Sequence, residues 1–141
     1  MDRNALILAA MVPGGTHPYT PVQIQKLLFL VDRQIPQHVG GPHFNFTPYH
    51  YGPFDRAVYH ELNQLEAQGL VAIDRSSPLR TFSLTASGIE AGTAALKTLP
   101  QPIQDFLEKA STFVRTLSFS SLVSAIYKAF PDMRENSVFQ S

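Results

Sequence analysis

Apolar residues along this chain switch between two periods, and each switch marks an expected element. From Pro53 to Gln68, Phe54, Val58, Leu62 and Leu65 recur at helical spacing and share one face. Pro53 suits the first helical position, where a missing N–H costs nothing. Asp55 puts a carboxylate in the first turn, against the positive end of the helix dipole. Gly69 follows as the C-cap. The period then falls to two: Leu70 to Ile73 reads as a strand, Asp74 to Arg80 as a polar turn, and Thr81 to Thr85 as the returning strand of a hairpin. Thr85 is placed to cap a further helix over Ser87 to Leu99, which Gly92 weakens.

The same logic orders the rest. Asp2 to Val12 is a short apolar helix, broken by Pro13-Gly14-Gly15-Thr16-His17-Pro18. Thr20 is a good N-cap with Pro21 at the first helical position. Ile24, Leu27, Leu28, Val31 and Ile35 form one stripe, and Phe29 and Leu30 widen it. A helix with so broad an apolar arc is central and buried on much of its circumference. Pro36 ends it. Beyond Pro100-Gln101-Pro102, Ile103 to Leu117 carries a stripe of Phe106, Leu107, Ala110 and Phe113/Val114. Ser118 caps a last helix holding Leu122, Val123, Ile126, Tyr127 and Phe130, which Pro131 stops. The tail from Asp132 to Phe139 is polar apart from Val138-Phe139.

Residues 37–52 form a long connection between the second helix and the Pro53 helix. A connection of that length in a compact domain is either functional or carries its own packing. Phe44, Phe46, Tyr49 and Tyr51 favour packing. Phe44-Asn45-Phe46 alternates as a short strand, with the two rings on one side and Tyr49 or His50 at an exposed rim.

Length and composition narrow the class. At 141 residues one domain is expected, large enough to bury a core without metal or disulfides. Hydrophobic residues make up 44% and charged residues 16%, which argues against disorder and for some apolar surface covered by a partner. Eleven basic and eleven acidic residues cancel, so strong nonspecific attraction for nucleic acid is not expected, although a local basic patch remains compatible. Cysteine is absent, which removes thiol chemistry and fits a reducing compartment. No secretory signal and no membrane-length run stands out, so a cytoplasmic protein is expected.

Candidate chemistry is sparse. His38, His43 and His50 lie in one loop, yet no acid or cysteine stands at ligand spacing, so no metal is expected. His50, Tyr51 and Asp55 lack the nucleophile and orienting partner that catalysis needs. There is no phosphate loop and no nucleophile elbow. The expectation is a noncatalytic protein without a cofactor.

Helix, Gly69-Leu70-Val71, hairpin, Phe82-Ser83-Leu84-Thr85-Ala86-Ser87-Gly88 and helix again resemble winged-helix domains of the MarR and PadR regulator groups. That resemblance implies a recognition helix starting at Pro53 and a wing at the hairpin. Arg56, Tyr59, His60, Asn63 and Gln64 then become candidates for base contacts, and Arg75 and Arg80 for phosphate contacts. Asp55, Glu61 and Glu66 on the same helix oppose this. A second resemblance concerns two segments. Lys26-Leu27-Leu28-Phe29-Leu30-Val31-Asp32 and Tyr51-Gly52-Pro53-Phe54-Asp55-Arg56-Ala57-Val58-Tyr59 are similar to elements of the Panacea domain, the SocA-like antitoxin family. The related YwgA-like proteins share that order and an ending like Ser124 to Pro131 followed by Asn136-Ser137-Val138. This resemblance implies a protein-binding role toward a toxin.

The expectation is therefore an α+β fold: one domain over residues 1–141, with a winged core at 1–99 and a helical extension at 100–141 that forms a homodimer. The leading function is DNA binding and transcription regulation, linked to a toxin–antitoxin or phage-defence locus. The alternative is an antitoxin-like protein-interaction module that does not bind DNA. A cluster of Arg56, Arg75, Arg80 and Lys26 favours the first, and their dispersal favours the second.

Overall fold

The computed structural model describes residues 1–139. Helices α1 (Arg3–Met11) and α2 (Pro21–Gln34) precede a hairpin of β1 (Thr47–Tyr49) and β2 (Gly52–Phe54). Then come α3 (Ala57–Ala67), a second hairpin of β3 (Val71–Asp74) and β4 (Thr81–Leu84), and helices α4 (Ala86–Lys97), α5 (Gln101–Thr116) and α6 (Phe119–Ala129). Both hairpins are antiparallel, with Thr47 opposite Phe54 in the first and Val71 opposite Leu84 in the second. The protein is thus α+β, and no helix among the described residues is long and apolar enough to cross a membrane.

Local signals set most boundaries. Asp2 caps α1 by accepting from Ala5 N. Thr20 and Gln23 form a capping box on α2, each side chain bonding the other's backbone N–H. Thr85 and Ser118 cap α4 and α6. At the end of α3, Gly69 takes a φ of +77° that L side chains rarely adopt. Its N–H donates to Glu66 O, and Leu70 N–H donates to Leu65 O, the paired bonds of a Schellman cap.

The core is built on α1 and α2. Leu6 to Met11 are all buried, so α1 is enclosed around its whole circumference. On α2 the expected stripe of Ile24, Leu27, Leu28, Val31 and Ile35 is buried, and so is Phe29. Gly92 stands inside α4 at a close approach to α1. A β-carbon there would come within 2.7 Å of the Leu8 carbonyl oxygen, and one at Gly88 within 1.9 Å of the Leu70 carbonyl oxygen. Both glycines let backbones approach closely, and that approach packs α4 against α1 and the β3–β4 hairpin. Tyr19 adds a bridge on the free edge of β4, exchanging both backbone hydrogen bonds with Phe82.

Two expectations of the middle region are corrected. Pro53 does not open a helix: it lies within β2 opposite Pro48, and α3 begins at Ala57. The reason is the chain between them. Gln25, buried on α2, grips the Asp55 peptide at both ends, its amide donating to Asp55 O at 2.9 Å and accepting from Asp55 N at 3.0 Å. The Asp55 carboxylate accepts from Asn45 N and from Ala57 N, so it caps the helix from outside it. Phe44-Asn45-Phe46 is likewise no strand, because pairing begins at Thr47.

The alternation nevertheless holds in burial: Phe44 is buried, Asn45 exposed and Phe46 half-buried. Asp32 accepts from the backbone N–H groups of His43 and Phe44, and Phe46 meets Phe29 edge to face at 5.6 Å. The long connection therefore carries its own packing.

A candidate partner-binding groove

One cavity of about 560 Å³ opens between α2, the β1–β2 hairpin and the start of α6. Helix α2 contributes Val22, Gln25 and Lys26 because its N-terminal turns lie under the hairpin. Tyr49, Tyr51 and Phe54 form the hairpin wall, Phe119 and Leu122 the α6 wall, and Leu79 reaches in from the tip of the β3–β4 turn. Tyr49, Tyr51, Leu79 and Phe119 are among the exposed large apolar residues, with 43% to 55% of their surface open. An apolar rim of this kind is the usual mark of a binding surface.

Lys26 is 1% exposed. Its ammonium donates to the Tyr51 carbonyl, and no carboxylate among the described residues stands within ion-pair distance. Burial alone pulls its pKa from 10.5 to about 8. Gly52 covers it with a φ of +110°, and a β-carbon there would sit 3.3 Å from the Lys26 nitrogen. The turn between β1 and β2 is thus shaped around the lysine. The tail holds this turn from behind: Val138 N–H donates to His50 O, Asn136 to Pro48 O, and Tyr127 to the Ser137 hydroxyl.

The residues expected to read DNA differ in their surroundings. Arg56, His60, Asn63 and Gln64 are exposed on or beside α3, and the His60 and Gln64 side chains meet at 3.2 Å. Tyr59 is turned inward, stacked on Phe82 at 5.8 Å. Burial raises its phenol, with the Gln25 amide and Arg80 pulling the other way. Arg80 lies over the Tyr59 ring at 5.2 Å. Arg75 makes a two-pronged pair with Glu66 of α3, at 2.7 and 3.0 Å. That pairing lowers the Glu66 carboxyl and raises the arginine. Lys26 is buried beneath the β1–β2 turn, where it lines the groove, and it adds nothing to an exposed basic patch with these arginines.

His38, His43 and His50 do not converge on a common point. His43 bonds the Val39 carbonyl through its ring, His50 stacks on Tyr49 at 4.1 Å, and the described residues hold no group of metal-ligating side chains. On α5 and α6, Leu107, Val114, Leu122 and Ile126 are buried within the chain, which leaves Phe113 as the exposed apolar residue of α5 for the expected homodimer.

Gln25, Lys26, Leu79 and Phe119 line the groove without being expected there, Lys26 having been expected only in a basic cluster with Arg56, Arg75 and Arg80. A signal for the first two existed: a polar pair inside a helix enclosed on most of its circumference must bond something buried. Leu79 and Phe119 carried none, since a lone apolar residue in a turn or a first helical position is ordinary. No protein-family model matches this chain, and neither does any curated protein or solved structure.

Proposed function

We propose that this protein is a noncatalytic interaction module that takes an apolar segment of a partner protein into the groove between α2, the β1–β2 hairpin and α6. The observation that carries this reading is the open aromatic rim of Tyr49, Tyr51 and Phe119 over a preformed cavity. Aromatic residues are enriched at protein interfaces, where large rings contribute area at low entropic cost. Of the arginines expected to favour DNA, Arg75 is paired with Glu66 and Arg80 lies over Tyr59, while Arg56 is exposed. The two segments similar to the Panacea domain supply Lys26 on one side of this groove and Tyr51 to Phe54 on the other. A toxin-like partner is the natural reading of that resemblance.

A second reading is a winged-helix DNA binder with α3 as recognition helix. Its specific support is the exposed row of His60, Asn63 and Gln64 beside Arg56, together with the hairpin and the Tyr19 bridge that widens it. Photo-crosslinking separates the two. Benzoylphenylalanine replaces Phe119 in one variant, Asn63 in a second and exposed Lys97 in a third, each in the native cell. A protein adduct at 119, absent at 63 and 97, is expected. A nucleic-acid adduct at 63 with none at 119 overturns the docking reading in favour of DNA.

A further inference from the structure

The groove has a charge asymmetry that its apolar lining does not explain. Among the described residues no aspartate or glutamate lines it, and the one charged group in its wall is Lys26. That ammonium has three hydrogens, and the Tyr51 carbonyl is its acceptor among the described residues. A buried cation without an opposite charge is costly. Two helix N-termini also reach the groove: Val22 and Gln23 belong to the first turn of α2, and Phe119 and Leu122 to that of α6. Each contributes the positive end of a helix dipole. Lysine and both dipoles therefore favour the same sign of ligand, while the surrounding rings favour an apolar one.

We propose that the docked partner segment carries a carboxylate onto the Lys26 ammonium, next to an aromatic or aliphatic side chain that fills the rest of the groove. This inference rests on the protein-docking reading and adds the chemistry of the docked segment. A cavity of about 560 Å³ falls within the range of small-ligand pockets, roughly 300–1,000 Å³, and holds one ring with one acid group beside it. Charge-assisted bonds to the ammonium give direction, and Tyr51, Phe54 and Phe119 give area.

The probes are two pairs of capped peptides titrated into the full chain and followed by NMR. N-acetylphenylalanine and its amide differ only in a C-terminal carboxylate. Acetyl-Phe-Glu-amide and acetyl-Phe-Gln-amide differ only in a side-chain carboxylate. At least one acid is expected to bind about tenfold or more tighter than its amide, as a charged hydrogen bond requires. Shifts should centre on Gly52, Lys26 and Phe119, and the tighter acid identifies which carboxylate the partner uses. In Lys26→Met the acid and amide should bind alike, with the residual affinity of the ring retained. The wild-type acid-to-amide ratio stands without that variant. Equal binding of acid and amide to the wild type, or groove shifts from neither, overturns the carboxylate assignment. The adduct at position 119 decides the docking reading separately.

Discussion

The two hairpins of this protein are alike in build and opposite in surface. The β3–β4 hairpin is polar at its turn, and its charges are satisfied within the chain: Arg75 holds Glu66, Arg80 covers Tyr59, and the Asp74 carboxylate accepts from Ser76 N. The β1–β2 hairpin leaves Tyr49 and Tyr51 open and shelters a cation with no acid beside it among the described residues. A polar surface already bonded to itself must break those bonds to meet a partner, while exposed rings over a cavity gain on contact with nothing to surrender. The difference shows why counting arginines on an element is a weak guide to what the element binds.

The comparison is broken most severely at the base of the aromatic side. Phe29 lies between Phe46 at 5.6 Å and Phe130 at 4.9 Å, and it is 2% exposed. Phe29→Ala should cost about 3–5 kcal/mol, as core aromatic truncations do. Denaturant unfolding measures this, and a loss below about 1 kcal/mol would show that the long connection is not packed on α2. Phe46→Ala is the milder partner, destabilising by less because Phe46 is half-buried.

Next comes Lys26. The folded protein holds its proton less tightly than the unfolded chain, because its pKa falls from 10.5 to about 8. Below about pH 8 the folded state bears the cost of a buried charge. Stability should then rise with pH between about 8 and 10.5, by on the order of 3 kcal/mol at full release. Tyr19 and Tyr59, raised by burial, act in the opposite sense above their ordinary value of 10.0, so the test is a difference. Melting curves of Lys26→Met should lack the rise that wild type shows. Parallel pH profiles for the two proteins would mean that Lys26 is well compensated within the fold.

The rim should separate binding from folding. Tyr51→Ala with Phe119→Ala removes an edge-to-face pair at 5.2 Å between two exposed rings. Stability should change by about 1 kcal/mol or less, and partner capture should be lost. A large drop in melting temperature would turn the rim into core.

The smallest effect belongs to the polar hairpin. Glu66→Gln frees Arg75 from its two-pronged pair and should leave the melting temperature nearly unchanged. If α3 and this hairpin bind DNA, the freed arginine should steepen the salt dependence of binding by about one unit in a gel-shift series. An unchanged slope would take the hairpin out of a DNA interface.

Much of the fold is legible in the chain itself, where the information is local. The caps at Thr20, Thr85 and Ser118, the stop at Gly69 and the stripe on α2 need only nearby residues, and each stands where the pattern places it. The start of α3 was not legible. Pro53 is compatible with a strand or a first helical turn, and the choice was made by Gln25, thirty residues away, gripping the Asp55 peptide. The sequence by itself also determined that the polar pair Gln25-Lys26 sits within a helix destined to be enclosed. Only the tertiary structure decided that the β1–β2 turn closes over Lys26, that Leu79 and Phe119 meet across a cavity, and that Arg75 is held by Glu66. The reason is physical. Helix and strand periods follow from backbone geometry within a few residues, whereas an ion pair, a buried cation or a groove depends on which distant surfaces the core brings together.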